Sequence, residues 1–201
     1  MRLRIIWLCI VVPYFTIFFM NRFASVPNHT YPLIFSYGLV GWLAFEFYIK
    51  NSFFQSGRIP HYAYPTWLRL LIAIYFYGSF IWANFLVEER GGDNLFGLIG
   101  IAVLLSGISL RIKADWDFSC FPKRYIHRGI YRRIRHPCYL GLMLIALAMG
   151  LCFNSLTIFV ISVAVGLPLL YLESRYDEAY LSKREPEYHS YQKRVRYFGI
   201  L

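Results

Sequence analysis

The chain is poor in charge: only 16% of its 201 residues are Asp, Glu, Lys or Arg, and acidic residues number 11. A water-soluble domain of ordinary composition carries about 25%, so the polar surface such a domain needs is missing. Cysteine is scarce and scattered. Cys9, Cys120, Cys138 and Cys152 form no Cys-x-x-Cys pair, which argues against a disulfide framework or a thiolate metal site and leaves four free thiols. His29, His61 and His189 show no ligand spacing, so no metal is expected. No internal repeat or low-complexity tract is present. The basic, apolar start (Met1-Arg2-Leu3-Arg4, then apolar to Met20) lacks a small-x-small cleavage site, and it reads as a retained membrane helix rather than a removed signal. The C-terminal Phe198-Gly199-Ile200-Leu201 matches no lipidation or retrieval signal.

Apolar residues are what the chain has in excess: 58% are hydrophobic and 20% aromatic, and the mean hydropathy is +0.44. Crossing about 30 Å of hydrocarbon takes about 20 apolar residues in a helix. Ile5 to Met20 (kinked at Pro13), Tyr31 to Ile49, Trp67 to Val87 and Asn94 to Ile112 meet that requirement. Tyr139 to Leu172 is too long for one helix and is broken by Asn154-Ser155, so it reads as a helical hairpin. The expected fold is therefore all-α and polytopic, with about six transmembrane helices, the last two a hairpin. Residues 1–93 hold three N-terminal spans, and residues 94–201 form a core with a cytosolic connector and a C-terminal helix. Gly38/Gly41, Gly97/Gly100, Ala102 and Ser106 are candidates for close helix contacts.

The net charge of +10 is distributed unevenly. With the N-terminus in the cytosol, nineteen of the 21 Lys and Arg fall on the cytosolic side, and only Arg22 and Arg90 fall outside. That asymmetry is the one membrane insertion favours, and it places both termini in the cytosol, in a bacterial inner membrane or the endoplasmic reticulum. Nucleic acid is a poor partner for such a chain, because the aromatics that could stack on bases are committed to the bilayer. Glu46 is an ionisable residue within a span, which marks either a functional position or a side chain snorkelling toward Lys50.

Two segments flank the hairpin outside the hydrocarbon: Arg111 to Pro137, and Glu173 to Leu201. The densest polar run is Gly129-Ile130-Tyr131-Arg132-Arg133-Ile134-Arg135-His136-Pro137-Cys138-Tyr139-Leu140-Gly141. Pro137 suits the first turn of a helix, where an amide proton would have no partner, and that helix directs its positive end at the surroundings of His136. Read by themselves, Arg132, Arg133 and Arg135 are equally an anchor to anionic lipid.

Gly-Ile-Tyr, three residues, then Arg-His-Pro-x-Tyr-x-Gly resembles the signature of the isoprenylcysteine carboxyl methyltransferase family and the related membrane phospholipid methyltransferases. The likeness continues through Arg175-x-Asp177-Glu178-x-x-Leu181 and Tyr188-x-x-Tyr191-x-x-x-Val195, and it covers roughly Ser106 to the C-terminus. The resemblance implies S-adenosylmethionine as methyl donor at the cytosolic face. Its binding would fall to Lys123, Arg124, Tyr125 and Ile126, to Tyr131, to His136, Pro137, Cys138 and Tyr139, and to Asp177 or Glu178. Aromatic faces would meet the sulfonium, and a carboxylate would meet ribose hydroxyls or the ammonium. Glu173 and Arg175 are the catalytic candidates. Glu173 stands where prenylcysteine enzymes carry an Arg, which favours a lipid amine or another nucleophile over a carboxylate acceptor. Glu185-Pro186 replaces an expected Phe-Gly, and the tail helix should restart after it. The implied substrate is lipophilic or lipidated and enters from the bilayer among membrane lipids; the oligomeric state stays open. Two other readings remain. One is an NADPH-dependent sterol- or steroid-type reductase, with Arg124, Arg128 and Arg132 toward the extra phosphate. The other is a non-catalytic membrane protein binding anionic lipid or a partner.

Overall fold

The structure is a computed structural model that describes residues 30–52, 65–86, 94–120 and 129–199; the side chains of 46–52, 85–86 and 119–120 are outside the description. The first expected span, Ile5 to Met20, lies outside the described residues, as do Lys123 to Ile126 and the side chain of Glu46. Among the described residues the chain forms helices and no strand, in line with the all-α expectation. Its helices are α1 (Thr30–Ser52), α2 (Thr66–Leu86), α3 (Leu95–Cys120), α4 (Pro137–Cys152), α5 (Leu156–Arg184) and α6 (Tyr188–Arg194), with a 3-10 turn at Gly129–Arg132 before α4.

Three of these helices, Thr66–Asn84, Leu95–Phe118 and Leu156–Arg184, are long and apolar enough to cross a membrane, while Thr30–Phe45 and Pro137–Cys152 are shorter apolar helices. Trp67, Leu70, Ile74, Trp82, Leu95, Leu105 and Leu156 are among many large apolar side chains at least half exposed. Outward apolar surface on this scale is incompatible with water and suits lipid. The chain is an integral membrane protein.

Each helix boundary has a local cause. Asn94 caps α3 by accepting the Gly97 amide at 3.0 Å. The sequence places the end of this helix near Ile112, yet it continues to Cys120. Arg111–Asp115 (3.6 Å) and Lys113–Asp117 (2.6 Å) are i,i+4 ion pairs that carry it past the apolar stretch. The expected hairpin forms at Asn154-Ser155. Asn154 takes a left-handed φ of 48°, and Ser155 caps α5 by accepting the Ile158 amide at 3.3 Å. Within α5, Ser162–Gly166 widens into a π-turn just before Pro168. A proline inside a helix lacks an amide proton and crowds the carbonyl four residues back; the wider turn relieves that conflict. The Ser162 hydroxyl sits in the widened turn, 2.9 Å from the carbonyls of Ala146 and Ile158, and accepts a 2.8 Å hydrogen bond from Tyr75 of α2. After α5 the chain turns extended at Glu185 and restarts as α6, as the Glu185-Pro186 break implies.

Helix α4 is the centre of the bundle. Tyr139, Gly141, Met143, Ile145, Ala146, Ala148, Met149, Gly150 and Cys152 are all buried on it, and its core neighbours include Phe35, Trp42, Phe80, Leu104 and Phe153. It meets α3 backbone to backbone. A Cβ on Gly107 would lie 2.8 Å from the Gly141 carbonyl, one on Gly141 would lie 2.8 Å from the Gly107 carbonyl, and one on Gly100 would lie 2.7 Å from the Cys152 amide nitrogen. The expected contact at Gly100 is there, and Gly97 packs on the Tyr31 ring. Ala102 and Ser106 instead lie on the exposed side of α3, and Gly41 has open space around it. They differ because Gly100, Leu104 and Gly107 form the stripe, at helical spacing, that turns toward α4.

Gly107→Val should overpack this crossing and destabilise the protein by about 1–3 kcal/mol. Gly41→Ala should be neutral or mildly stabilising, since Gly lowers helix stability by roughly 0.5–1 kcal/mol against Ala. Thermal unfolding in detergent reads both; equal melting temperatures for the two variants would refute the close crossing.

Candidate functional site

The site lies at the end of the bundle where α3 finishes and α4 begins. Gly129 starts its 3-10 turn with φ 58°, in the left-handed region that favours glycine. A Cβ there would overlap the Asp117 carboxylate. That carboxylate fixes the turn: its Oδ2 accepts the Ile130 amide at 2.7 Å while Oδ1 holds Lys113. The turn buries Tyr131, whose carbonyl accepts the Tyr191 hydroxyl of α6 at 2.8 Å. The Tyr131 hydroxyl lies 3.4 Å from Cys138 Sγ.

The centre of the site is the Glu178 carboxylate. Arg135 Nη1 lies 2.7 Å from its Oε1, His136 Nε2 lies 3.1 Å from the same oxygen, and Arg175 Nη1 lies 3.7 Å from Oε2. Burial pushes the Glu178 carboxyl up, but hydrogen bonds and charge from His136 and Arg135 more than offset this and bring it down to about 2 from an ordinary 4.5. One residue earlier, Asp177 Oδ2 accepts the Tyr139 hydroxyl at 2.7 Å. Residues some forty positions apart in sequence thus converge through α4 and α5.

Arg135 also anchors the tail. Its Nη2 donates to the carbonyls of Gln192 at 2.5 Å and Val195 at 2.7 Å, and its Nε donates to Val195 at 3.1 Å. Backbone pairs continue the seam, with the Arg135 amide on the Arg196 carbonyl (3.0 Å) and the His136 amide on that of Tyr197 (3.2 Å). The Tyr197 ring packs on His136 with centroids 4.6 Å apart, and its hydroxyl is 2.6 Å from Ser174 Oγ. Burial is the main cause raising the Tyr197 phenol, to about 12, so it stays protonated at neutral pH.

Tyr131, His136, Pro137, Cys138, Tyr139, Asp177 and Glu178 therefore meet around one end of α4, with all but the half-buried Cys138 buried. Glu173 is half-buried one turn before Asp177, and Arg175 is exposed on the outer side of α5. Arg135 is no lipid anchor: its side chain is only 13% exposed and faces inward. Sequence reasoning missed Asp115 and Asp117, both buried, and the role of Tyr197. The two aspartates carried a signal in their i,i+4 spacing from Arg111 and Lys113 just beyond the apolar run; Tyr197 carried none.

Replacing Glu178 by Gln should leave Arg135 inadequately compensated inside the protein and cost about 3 kcal/mol. A folded-state value below the ordinary one stabilises at pH above about 4.5, and that contribution is lost as pH falls from there toward about 2. The gap in melting temperature between wild type and Glu178→Gln should accordingly narrow as pH falls below about 4.5. A gap independent of pH throughout would contradict the ionic account.

Residues 91–184 match the family model described as phospholipid methyltransferase. The match covers a little under half of the chain and takes in α3, the Gly129 turn, α4 and α5, leaving α6 outside it. No curated protein and no solved structure matches the chain. The resemblance carried by Gly-Ile-Tyr and Arg-His-Pro-x-Tyr-x-Gly is borne out at the level of the membrane methyltransferases, the superfamily that includes both phospholipid and isoprenylcysteine carboxyl enzymes.

Proposed function

We propose that this protein is an S-adenosylmethionine-dependent methyltransferase that modifies a lipid-like or prenylated acceptor at the cytosolic face of its membrane. The observation that carries the reading is the convergence of the signature residues: His136 on Glu178 and Tyr139 on Asp177, within the matched segment. The donor set fits the cofactor. A sulfonium calls for aromatic faces, and Tyr131, Tyr139, His136 and Tyr197 surround the site. An ammonium and ribose hydroxyls call for a carboxylate, and Asp177 lies among those rings.

The cofactor, when bound, supplies an already activated methyl group, so the protein has chiefly to orient the reactants and exclude water. Tyr131, His136, Pro137, Cys138, Tyr139 and Asp177 are assigned to holding it, with Lys123 to Ile126 assigned from the resemblance. Glu178 is assigned a positioning role, since it fixes His136 and Arg135. The Tyr139–Asp177 hydrogen bond fixes the carboxylate against the aromatic wall. Glu173, one helical turn toward the apolar part of α5, is assigned to orient an acceptor arriving from the bilayer and to take a proton from it if it is an amine. The negative charge at this position favours an amine acceptor, and Arg175 is assigned to the same end of the site. Both termini are assigned to the cytosol, in keeping with the distribution of Lys and Arg.

Calorimetry on the detergent-solubilised protein should show saturable S-adenosylmethionine binding that His136→Ala weakens at least tenfold. Tyr139→Phe, which deletes one hydrogen bond to a carboxylate, should weaken it by about 1.5–3 kcal/mol. Binding of NADPH in its place would make the protein a reductase, and binding of neither would remove the enzymatic reading. Glu173→Gln should leave donor affinity unchanged and slow turnover on an amine lipid by about 10²-fold or more; undiminished turnover would remove Glu173 from the mechanism.

A further inference from the structure

The Gly129–Arg132 turn has a second face that the proposed methyl-donor site does not use. An open cavity of about 710 Å³ lies there, lined by Lys113, Gly129, Ile130, Arg132 and Arg133. None of Tyr131, His136, Tyr139, Asp177 or Glu178 is among those lining residues. Three of the five are cationic and none is acidic. Lys113 is compensated by Asp117, whereas Arg132 and Arg133 are exposed and make no ion pair with any described residue. Nearby Arg135 is consumed inside the protein, so the cluster that reads in sequence as one basic run is divided into an internal cation and two outward ones.

The position of the cavity along α3 bears on its occupant. The apolar run of α3 ends at Ile112 and Lys113 is the next residue, which by composition puts it where the hydrocarbon should give way to headgroups. One turn further Trp116 is 59% exposed; tryptophan concentrates at the level of lipid headgroups. Two guanidinium groups that make no ion pair among the described residues suit phosphate oxygens there, which they can hold through paired hydrogen bonds. No described lining residue is acidic to receive a choline or ethanolamine ammonium, and the cavity suits a headgroup of net negative charge.

We propose that this cavity is a binding site for the headgroup of an anionic phospholipid, held by Arg132 and Arg133 beside Lys113 and distinct from the site of methyl transfer. The proposal rests on the chain being a membrane protein and does not require that it be a methyltransferase. A lipid held there would press on the turn that carries Tyr131, which is held from other sides by the Asp117 carboxylate at Ile130 and the Tyr191 hydroxyl, among other contacts.

Native mass spectrometry of the full-length protein in detergent, titrated with phosphatidylglycerol or phosphatidylcholine of the same acyl chains, tests it. Phosphatidylglycerol should be retained selectively, R132Q/R133Q should reduce its affinity about thirtyfold, and R132K/R133K should keep most of it. S-adenosylmethionine binding to R132Q/R133Q should be unchanged. Rising salt should weaken phosphatidylglycerol binding to the wild-type chain, which makes the same test without any substitution. Equal retention of the two lipids, selectivity that survives the glutamine pair or high salt, or displacement of the lipid by millimolar inorganic phosphate would each overturn the proposal. Loss of S-adenosylmethionine binding with lipid retention intact would also overturn it, by assigning the two arginines to the donor.

Discussion

The Arg135–Glu178 pair is the interaction on which the functional end of the molecule depends. Arg135 sits in the turn before α4, Glu178 on the far part of α5, and the carbonyls of Gln192 and Val195 at the end of α6. One guanidinium thereby ties three segments, two of which are also joined by the backbone pairs of Arg135 and His136 with Arg196 and Tyr197. A planar group with five donors can do this, whereas a lysine ammonium could not satisfy the same directions at once. One carboxylate oxygen, Oε1, meets both Arg135 and His136, and His136 is positioned as a consequence. With these groups removed from water, the geometry is held by charge-assisted bonds that are strong only while every partner is in place.

Beneath this polar layer the bundle is organised around close backbone approach rather than apolar attraction, since lipid tails are as apolar as the side chains they would displace. Gly107 against Gly141 and Gly100 against Cys152 bring α3 onto α4. On the other side the Tyr75–Ser162 hydrogen bond joins α2 to α5 at the π-turn. The pieces of the candidate site are thus mounted on helices whose relative positions are fixed within the apolar region. The candidate site sits beyond that region, where α3 and α5 continue as polar helices.

How the polar run Tyr131 to Arg135 divides between roles shows the reach of sequence reasoning and its limit. The family resemblance was enough to single out Tyr131, His136, Tyr139 and Asp177 or Glu178, and the structure brings these together. It could not tell Arg135 from Arg132 and Arg133, because adjacent cations look alike until one is seen to face a buried carboxylate. Nor could it place Tyr197, which reaches His136 only because the tail folds back along Arg135. The extension of α3 was readable in principle from ion-pair spacing, but hydropathy, which stops at Ile112, outweighed it.

By itself the sequence determined the solvent and the secondary structure. Long apolar runs require lipid, and lipid requires that every backbone polar group be satisfied within a helix; the break at Asn154-Ser155 and the restart after Pro186 follow from local chain chemistry. Tertiary structure alone decided which glycines meet, which arginine is buried, where the π-turn falls, and that Glu178 answers Arg135 and His136 together. Those outcomes depend on the angular phase of one helix against another. Phase accumulates over tens of residues and through a widened turn, so no local stretch of sequence contains it.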